Sequence, residues 1–125
     1  MNKYRVMVVD DSVIAQRKIA QLLEELGHAV VCSCSNGKEA CEKYPEHNPD
    51  LVTMDITMPV MDGIQATKHI ISADPEAIVL MVTSHSQKKT VIDAIDAGAK
   101  GYILKPFYKD NVAEKIKQIA DKYLK

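Results

Sequence analysis

The chain has no tryptophan, one phenylalanine and three cysteines among its 125 residues. So little aromatic surface argues against a nucleic-acid platform, where bases stack on exposed rings. Three cysteines are an odd number: Cys32 and Cys34 are too close to bridge across a turn, and Cys41 lies in a helix-like segment. A Cys-x-Cys pair without a nearby histidine or second cysteine pair is not a zinc ligand set. A reduced, cytoplasmic setting is therefore expected. Neither sign of charge is in excess. Sixteen basic residues stand against seventeen acidic ones, a formal net charge of -1, whereas binders of nucleic acid usually carry a basic surplus. No apolar run approaches the roughly 18 residues that cross a bilayer. Residues 1–3 lead straight into a strand-like segment, with no apolar stretch of a secretion signal. Linkers, repeats and low-complexity stretches are also missing. What remains is an ordinary globular balance, 46% hydrophobic and 26% charged. One domain of this length can bury roughly two-thirds of its unfolded surface.

Apolar segments alternate between strand-like runs and helical spacing. Val6 to Val9 is a short, valine-rich run, the pattern of a strand buried on both faces. Ser12 can cap a helix carrying Ile14 or Ala15, Ile19, Leu22, Leu23 and Leu26, with Gly27 at its C-terminal end. Ala29 to Cys34 is a second strand, with Cys32 and Cys34 expected as small hydrophobes on its opposite sides. Asn36-Gly37 opens a helix through Ala40, Cys41 and Tyr44 that Pro45 is expected to end. Leu51 to Met54 is a third strand. Asp62-Gly63 then opens a helix with Ile64, Thr67, Ile70 and Ile71, closed before Pro75. Ile78 to Val82 is a fourth strand. Gln87 to Ala97 reads as a helix with Val91, Ile92 and Ile95 inward, stopped by Gly98. Gly101 to Leu104 is a fifth strand, and Val112, Ile116, Ile119, Ala120 and Tyr123 line a final amphipathic helix. Five such units predict an α/β fold, a parallel sheet covered by helices on both faces. Right-handed crossovers leave few topologies, and the flavodoxin-like order 2-1-3-4-5 is expected. Residues 1–125 are expected to form one domain without an attached output domain.

In such a sheet the ligand site lies outside the carboxyl ends of the strands, where strand order reverses. Strand one ends in Asp10-Asp11, strand three in Asp55, strand four in Thr83-Ser84 and strand five in Lys105-Pro106. Strand two, an edge in this order, ends without charge. Clustered carboxylates resist ionising together unless a cation compensates. Carboxylates, carbonyls and water suit Mg²⁺, which keeps open positions for phosphate oxygens. A lysine supplies a point charge for phosphate, a hydroxyl supplies a hydrogen bond, and an aspartate can accept a phosphoryl group covalently. The constellation points to Mg²⁺-assisted phosphoryl transfer onto an aspartate.

The order Asp10-Asp11, Asp55 within "DLVTMDITMPVMDG", Thr83 and Lys105-Pro106-Phe107 closely resembles the receiver domain of bacterial response regulators. The resemblance spans the chain, and "DAIDAGAKGYILKPF" is similar to single-domain chemotaxis regulators of the CheY type. It implies that Asp55 accepts a phosphoryl group from a histidine kinase. It implies that Asp11, Asp55 and the backbone carbonyl of Thr57 bind Mg²⁺ directly, with Asp10 acting through water. Thr83 would bond the phosphoryl oxygen, and Lys105, aimed by a cis bond to Pro106, would neutralise its charge. Tyr102 occupies the position of an aromatic that swings inward on activation. The face of the fourth helix, fifth strand and fifth helix would then bind a downstream protein such as the flagellar motor switch. A phosphatase or phosphotransfer protein is a further expected partner. Thr57 and His85, each two residues beyond a site residue, would flank the path of the hydrolysing water and tune phosphoryl lifetime. The expected protein is a cytoplasmic, monomeric switch rather than an enzyme, touching neither nucleic acid nor membrane directly.

Taken singly, these residues have plainer readings: Asp10-Asp11 as a capping pair, Asp55 and Thr83 as turn residues, Lys105 as a surface lysine, Tyr102 as packing. Met54, Met58 and Met61 read as packing. His28, His47 and His69 read as surface residues, and the late lysines as a solvated face. A phosphorelay intermediate or orphan receiver is an alternative. A phosphohydrolase with an aspartate nucleophile is more distant, because the general acid it needs two residues on is Thr57 here. A flavodoxin-type cofactor protein is disfavoured, because Asp10-Asp11 stand where a hydroxyl- and glycine-rich phosphate loop belongs.

Overall fold

The computed structural model describes residues 3–124. Met1, Asn2 and Lys125, which enter the expectations about the chain ends and the lysine face, lie outside the described residues. Strands β1 (Arg5–Val9), β2 (Ala29–Cys34), β3 (Leu51–Met54), β4 (Val79–Thr83) and β5 (Gly101–Leu104) alternate with helices α1 (Val13–Glu25), α2 (Gly37–His47), α3 (Gly63–Ala73), α4 (Lys88–Asp96) and α5 (Lys109–Tyr123). All strand pairs are parallel, in the order β2-β1-β3-β4-β5. This is the α/β, flavodoxin-like arrangement expected from the alternation of periods.

Strand side chains alternate faces, which divides the core in two. Met7, Val9, Val52, Met54, Val79 and Met81 pack with residues of α2, α3 and α4. Val6, Val8, Leu51, Leu80, Val82 and Ile103 pack with α1 and α5. Helix starts are fixed locally. Ser12 Oγ accepts from Ala15 N, Asn36 Oδ1 from Glu39 N and Asp62 Oδ1 from Gln65 N, each cap contributing about 1 kcal/mol. Gly27 (φ 93°) and Gly98 (φ 115°) follow α1 and α4 in left-handed conformation, as their sequence positions suggest.

Several local expectations need correction. Pro45 does not end α2, which continues to His47. Proline lacks an N–H but its φ is helical, so it survives on this exposed last turn. The helix stops instead at Asn48, left-handed at φ 45° before Pro49. Ile92 and Ile95 face outward, 46% and 47% exposed, and Ala94 is the buried residue of α4. Tyr123 is also exposed. Cys32 and Cys34 lie on the same side of β2, as a period of two dictates, with Sγ atoms 3.8 Å apart. His28 is not a plain surface residue: its ring stacks on Tyr4, and its Nδ1 accepts from Tyr4 N at 3.2 Å.

Candidate functional site

Strand order reverses between β1 and β3, and the chain leaves both strands at the same rim. The leading strand-end residues, Asp10 and Asp55, follow immediately and are buried, 5% and 9% exposed. Asp55 N donates to Val9 O, and Asp10 N donates to Cys34 O, both at 3.0 Å, so the sheet ladder itself sets the spacing of the two carboxylates. Gly63 then packs against this turn so tightly that a Cβ there would lie 1.9 Å from Asp55 O. Its N–H donates to Ile56 O at 2.8 Å. The glycine at the start of α3 is thus required by close approach rather than by an unusual φ.

Oxygens of Asp10, Asp11 and Asp55 lie within 4.8 Å of one another. Lys105 Nζ reaches the group from the end of β5. It donates to Asp10 Oδ2 at 2.7 Å and to Asp55 Oδ2 at 3.3 Å, and its bond to Pro106 is cis. The remaining oxygens are also used: Asp10 Oδ1 accepts from Ser12 N at 2.9 Å, and Asp55 Oδ1 accepts from Ile56 N at 2.8 Å. Among the described residues no buried side-chain nitrogen or oxygen lacks a partner. Crowded carboxylates need a compensating cation, and the ammonium supplies one. Burial works against the charge on Lys105. The hydrogen bond to Asp10 and the charges of Asp55 and Asp10 outweigh it, and the net shift of its pKa is upward. Asp11, exposed at the mouth, completes a set of hard oxygen donors that fits a divalent cation such as Mg²⁺.

The other expected site residues form a second group. Thr83 is fully buried at the end of β4, and its Oγ1 accepts from His85 N at 3.5 Å. His85 Nε2 is hydrogen-bonded to Thr57 Oγ1 at 2.5 Å, joining the loop after β4 to the loop after β3. Tyr102, half-buried on β5, donates its hydroxyl to His85 O at 2.7 Å. Burial, then the charge of Asp55, raises the pKa of that hydroxyl, so it stays a donor. His85 is therefore the residue through which Thr57, Thr83 and Tyr102 are connected. Gln16 was not foreseen. Its Nε2 donates to Asp10 O at 2.6 Å and to Cys34 O at 3.2 Å, tying α1 to the ends of β1 and β2. An amide in the second turn of a helix carries no signal of this kind in sequence, because the bond depends on where β2 ends.

Residues 6–117 match the family model of the response regulator receiver domain. The chain belongs to the response regulator receiver family. The receiver is similar to the chemotaxis protein CheY of Bacillus subtilis, 50% identical over 113 residues that cover 90% of this chain and 94% of that one. It is 42% identical to the CheY of Thermotoga maritima over 116 residues, 93% of this chain and 97% of that protein. Among solved structures it resembles the CheX-CheY-BeF3-Mg+2 complex from Borrelia burgdorferi. The TM-score is 0.90 at 35% identity, covering 93% of the receiver and 88% of that chain. The receiver is thus CheY-like, of the class that works as signalling switches. Among its described residues no helix is long and apolar enough to cross a membrane.

Proposed function

We propose that the receiver takes a phosphoryl group onto Asp55 from a phosphohistidine of a histidine kinase and thereby changes its affinity for a downstream protein in chemotaxis. The observation that carries this reading is the meeting of three carboxylates and one ammonium at the switch point of the sheet. An Asp55 oxygen attacks phosphorus, the P–N bond breaks, and its electron pair returns to the imidazole. Asp11, Asp55 and the Thr57 carbonyl would hold Mg²⁺, with Asp10 acting through water. When bound, Mg²⁺ offsets carboxylate charge and leaves positions for phosphoryl oxygens. Lys105, already between Asp10 and Asp55, supplies a fixed positive charge to the incoming group. Thr83 donates its hydroxyl to a phosphoryl oxygen.

Movement of Thr83 toward that oxygen pulls on His85 N, and through His85 O on Tyr102. Tyr102 lies on β5, between α4 and α5. Ile92 and Ile95 of α4, Leu104 of β5 and Tyr108 just before α5 are exposed and give the output face an apolar surface for a partner such as the flagellar motor switch. A phosphatase or phosphotransfer protein is a second partner, in keeping with the CheX bound to the Borrelia CheY. Thr57 and His85, hydrogen-bonded to each other at the mouth, tune how long the phosphoryl group persists. Residues 1–125 act as one cytoplasmic phosphoacceptor unit.

Intact mass after incubation with acetyl phosphate and Mg²⁺ tests the reading. One phosphoryl adduct is expected, absent without Mg²⁺ and absent in Asp55→Asn. No adduct from acetyl phosphate or from a phosphorylated histidine kinase overturns it. For the tuning role, His85→Ala is expected to change the decay rate of the adduct, and an unchanged rate overturns that role.

A further inference from the structure

Strand β2 is an edge of the sheet and pairs only with β1. Its register jumps at Val31: Val6 faces Val30, but the next residue, Met7, faces Cys32. Such a bulge increases local twist. Directly after it, Cys32 and Cys34 project from one face with their Sγ atoms 3.8 Å apart. Cys34 is fully buried and Cys32 half-buried. Cys41 packs on the same side of the sheet, but its Sγ contacts Met61 Sδ and Ala66 O, each at 3.8 Å. Cys34 also touches the carboxylate site through its backbone, because Cys34 O accepts from both Asp10 N and Gln16 Nε2.

We propose that Cys32 and Cys34 form a thiol–disulfide modification site, oxidised by a low-molecular-weight disulfide, whose closure disturbs the carboxylate cluster through Asp10. The Cys32 thiolate attacks one sulfur of the reagent. The reagent's S–S bond breaks, and the departing thiolate takes up the proton that Cys32 gave up. Cys34 then loses its proton and attacks Cys32 Sγ in the mixed disulfide, and the second thiol leaves with that proton. Two protein thiols become one disulfide, and one reagent disulfide becomes two thiols. Half-buried Cys32 meets the reagent, and fully buried Cys34, its Sγ 3.8 Å away, is the resolving sulfur.

Closure must bring the sulfurs from 3.8 Å to about 2.05 Å. In an extended strand the Cα atoms of residues i and i+2 are about 6.6 Å apart, near the upper limit for a disulfide. The strand must therefore contract between residues 32 and 34. An already bulged edge strand, held by one ladder, gives way most easily. Contraction shifts Cys34 O, from which the Asp10 amide and the Gln16 side chain take their positions.

The test is incubation of the chain with oxidised glutathione, peptide mapping by mass spectrometry, and calorimetric titration with Mg²⁺ before oxidation, after it and after re-reduction. The expected product is lighter by two hydrogens, with the bridge mapped to Cys32 and Cys34. It binds Mg²⁺ about tenfold more weakly, the scale on which disturbing the groups that orient metal ligands acts, and dithiothreitol restores binding. Cys32→Ser is expected to show neither change. A mixed disulfide that never loses the second pair partner, or a bridge that includes Cys41, overturns the modification site. A Cys32–Cys34 bridge that leaves Mg²⁺ affinity unchanged overturns the link to Asp10. That link rests on the proposed metal role of the carboxylates. Reduced protein that binds no Mg²⁺ overturns that role, and the peptide map still decides the bridge.

Discussion

At the scale of single residues, side chains with few sequence cues hold the site in shape. Gly63 leaves no room for a methyl group beside Asp55 O. Gly63→Ala is expected to cost about 3 kcal/mol, the upper range for overpacking, and to show as a lowered urea midpoint. Gln16 shares one amide between two strand ends. Gln16→Ala should weaken Mg²⁺ binding by about tenfold while costing only about 1 kcal/mol of stability. Equal loss of stability without loss of affinity would make it a structural residue alone. At the opposite end of the sheet, burial lowers the pKa of His28 from its ordinary 6.5, and a proton on Nδ1 would end the bond from Tyr4 N. The folded state thus takes up that proton less readily than the unfolded chain. The contribution of His28 is complete above about pH 6.5 and is lost as pH falls through the lowered value. Urea unfolding of His28→Gln should therefore show a shallower decline in stability between about pH 7 and 5 than the parent.

At the scale of elements, helix α4 departs most from its sequence pattern. Apolar residues at Val91, Ile92 and Ile95 suggest an inward stripe, yet the helix rests on Ala94, with Ala97 buried just beyond its end. Periodicity counts apolar residues and cannot tell a face that meets the core from one left for a partner. Ile92→Ser and Ile95→Ser are expected to change stability by no more than about 0.5 kcal/mol, whereas Ala94→Leu should cost about 1–3 kcal/mol. Equilibrium unfolding of the three variants checks this. A large loss at Ile95 would place it in the core after all. Helix α2 shows the converse limit. Pro45 looks like a stop signal, but φ and exposure let it stay, and the pre-proline Asn48 ends the helix. On β2 the expected placement of Cys32 and Cys34 on opposite sides fails, because residues two apart on a strand share a face.

At the scale of the whole molecule, four strand ends converge on one rim, and stability is expected to depend on a bound cation. At a hundredfold its dissociation constant a ligand specific for the folded state adds about 2.7 kcal/mol, or about 10 °C in melting temperature for a domain of this size. Mg²⁺ should produce such a shift in calorimetry, and Asp11→Ala should erase it. No shift in the parent would contradict the metal assignment. The sequence by itself determined the alternation of buried strands and amphipathic helices, because period and apolar content are local properties. It also determined which polar residues stand at the strand ends, because a parallel α/β chain sends every strand toward the same rim. Tertiary structure alone decided that Lys105 bridges Asp10 and Asp55 across 95 and 50 residues of chain. It alone connected Thr57, Thr83 and Tyr102 through His85, and brought Gln16 to the ends of β1 and β2. These contacts depend on strand order and register, which bring together residues that no local pattern relates.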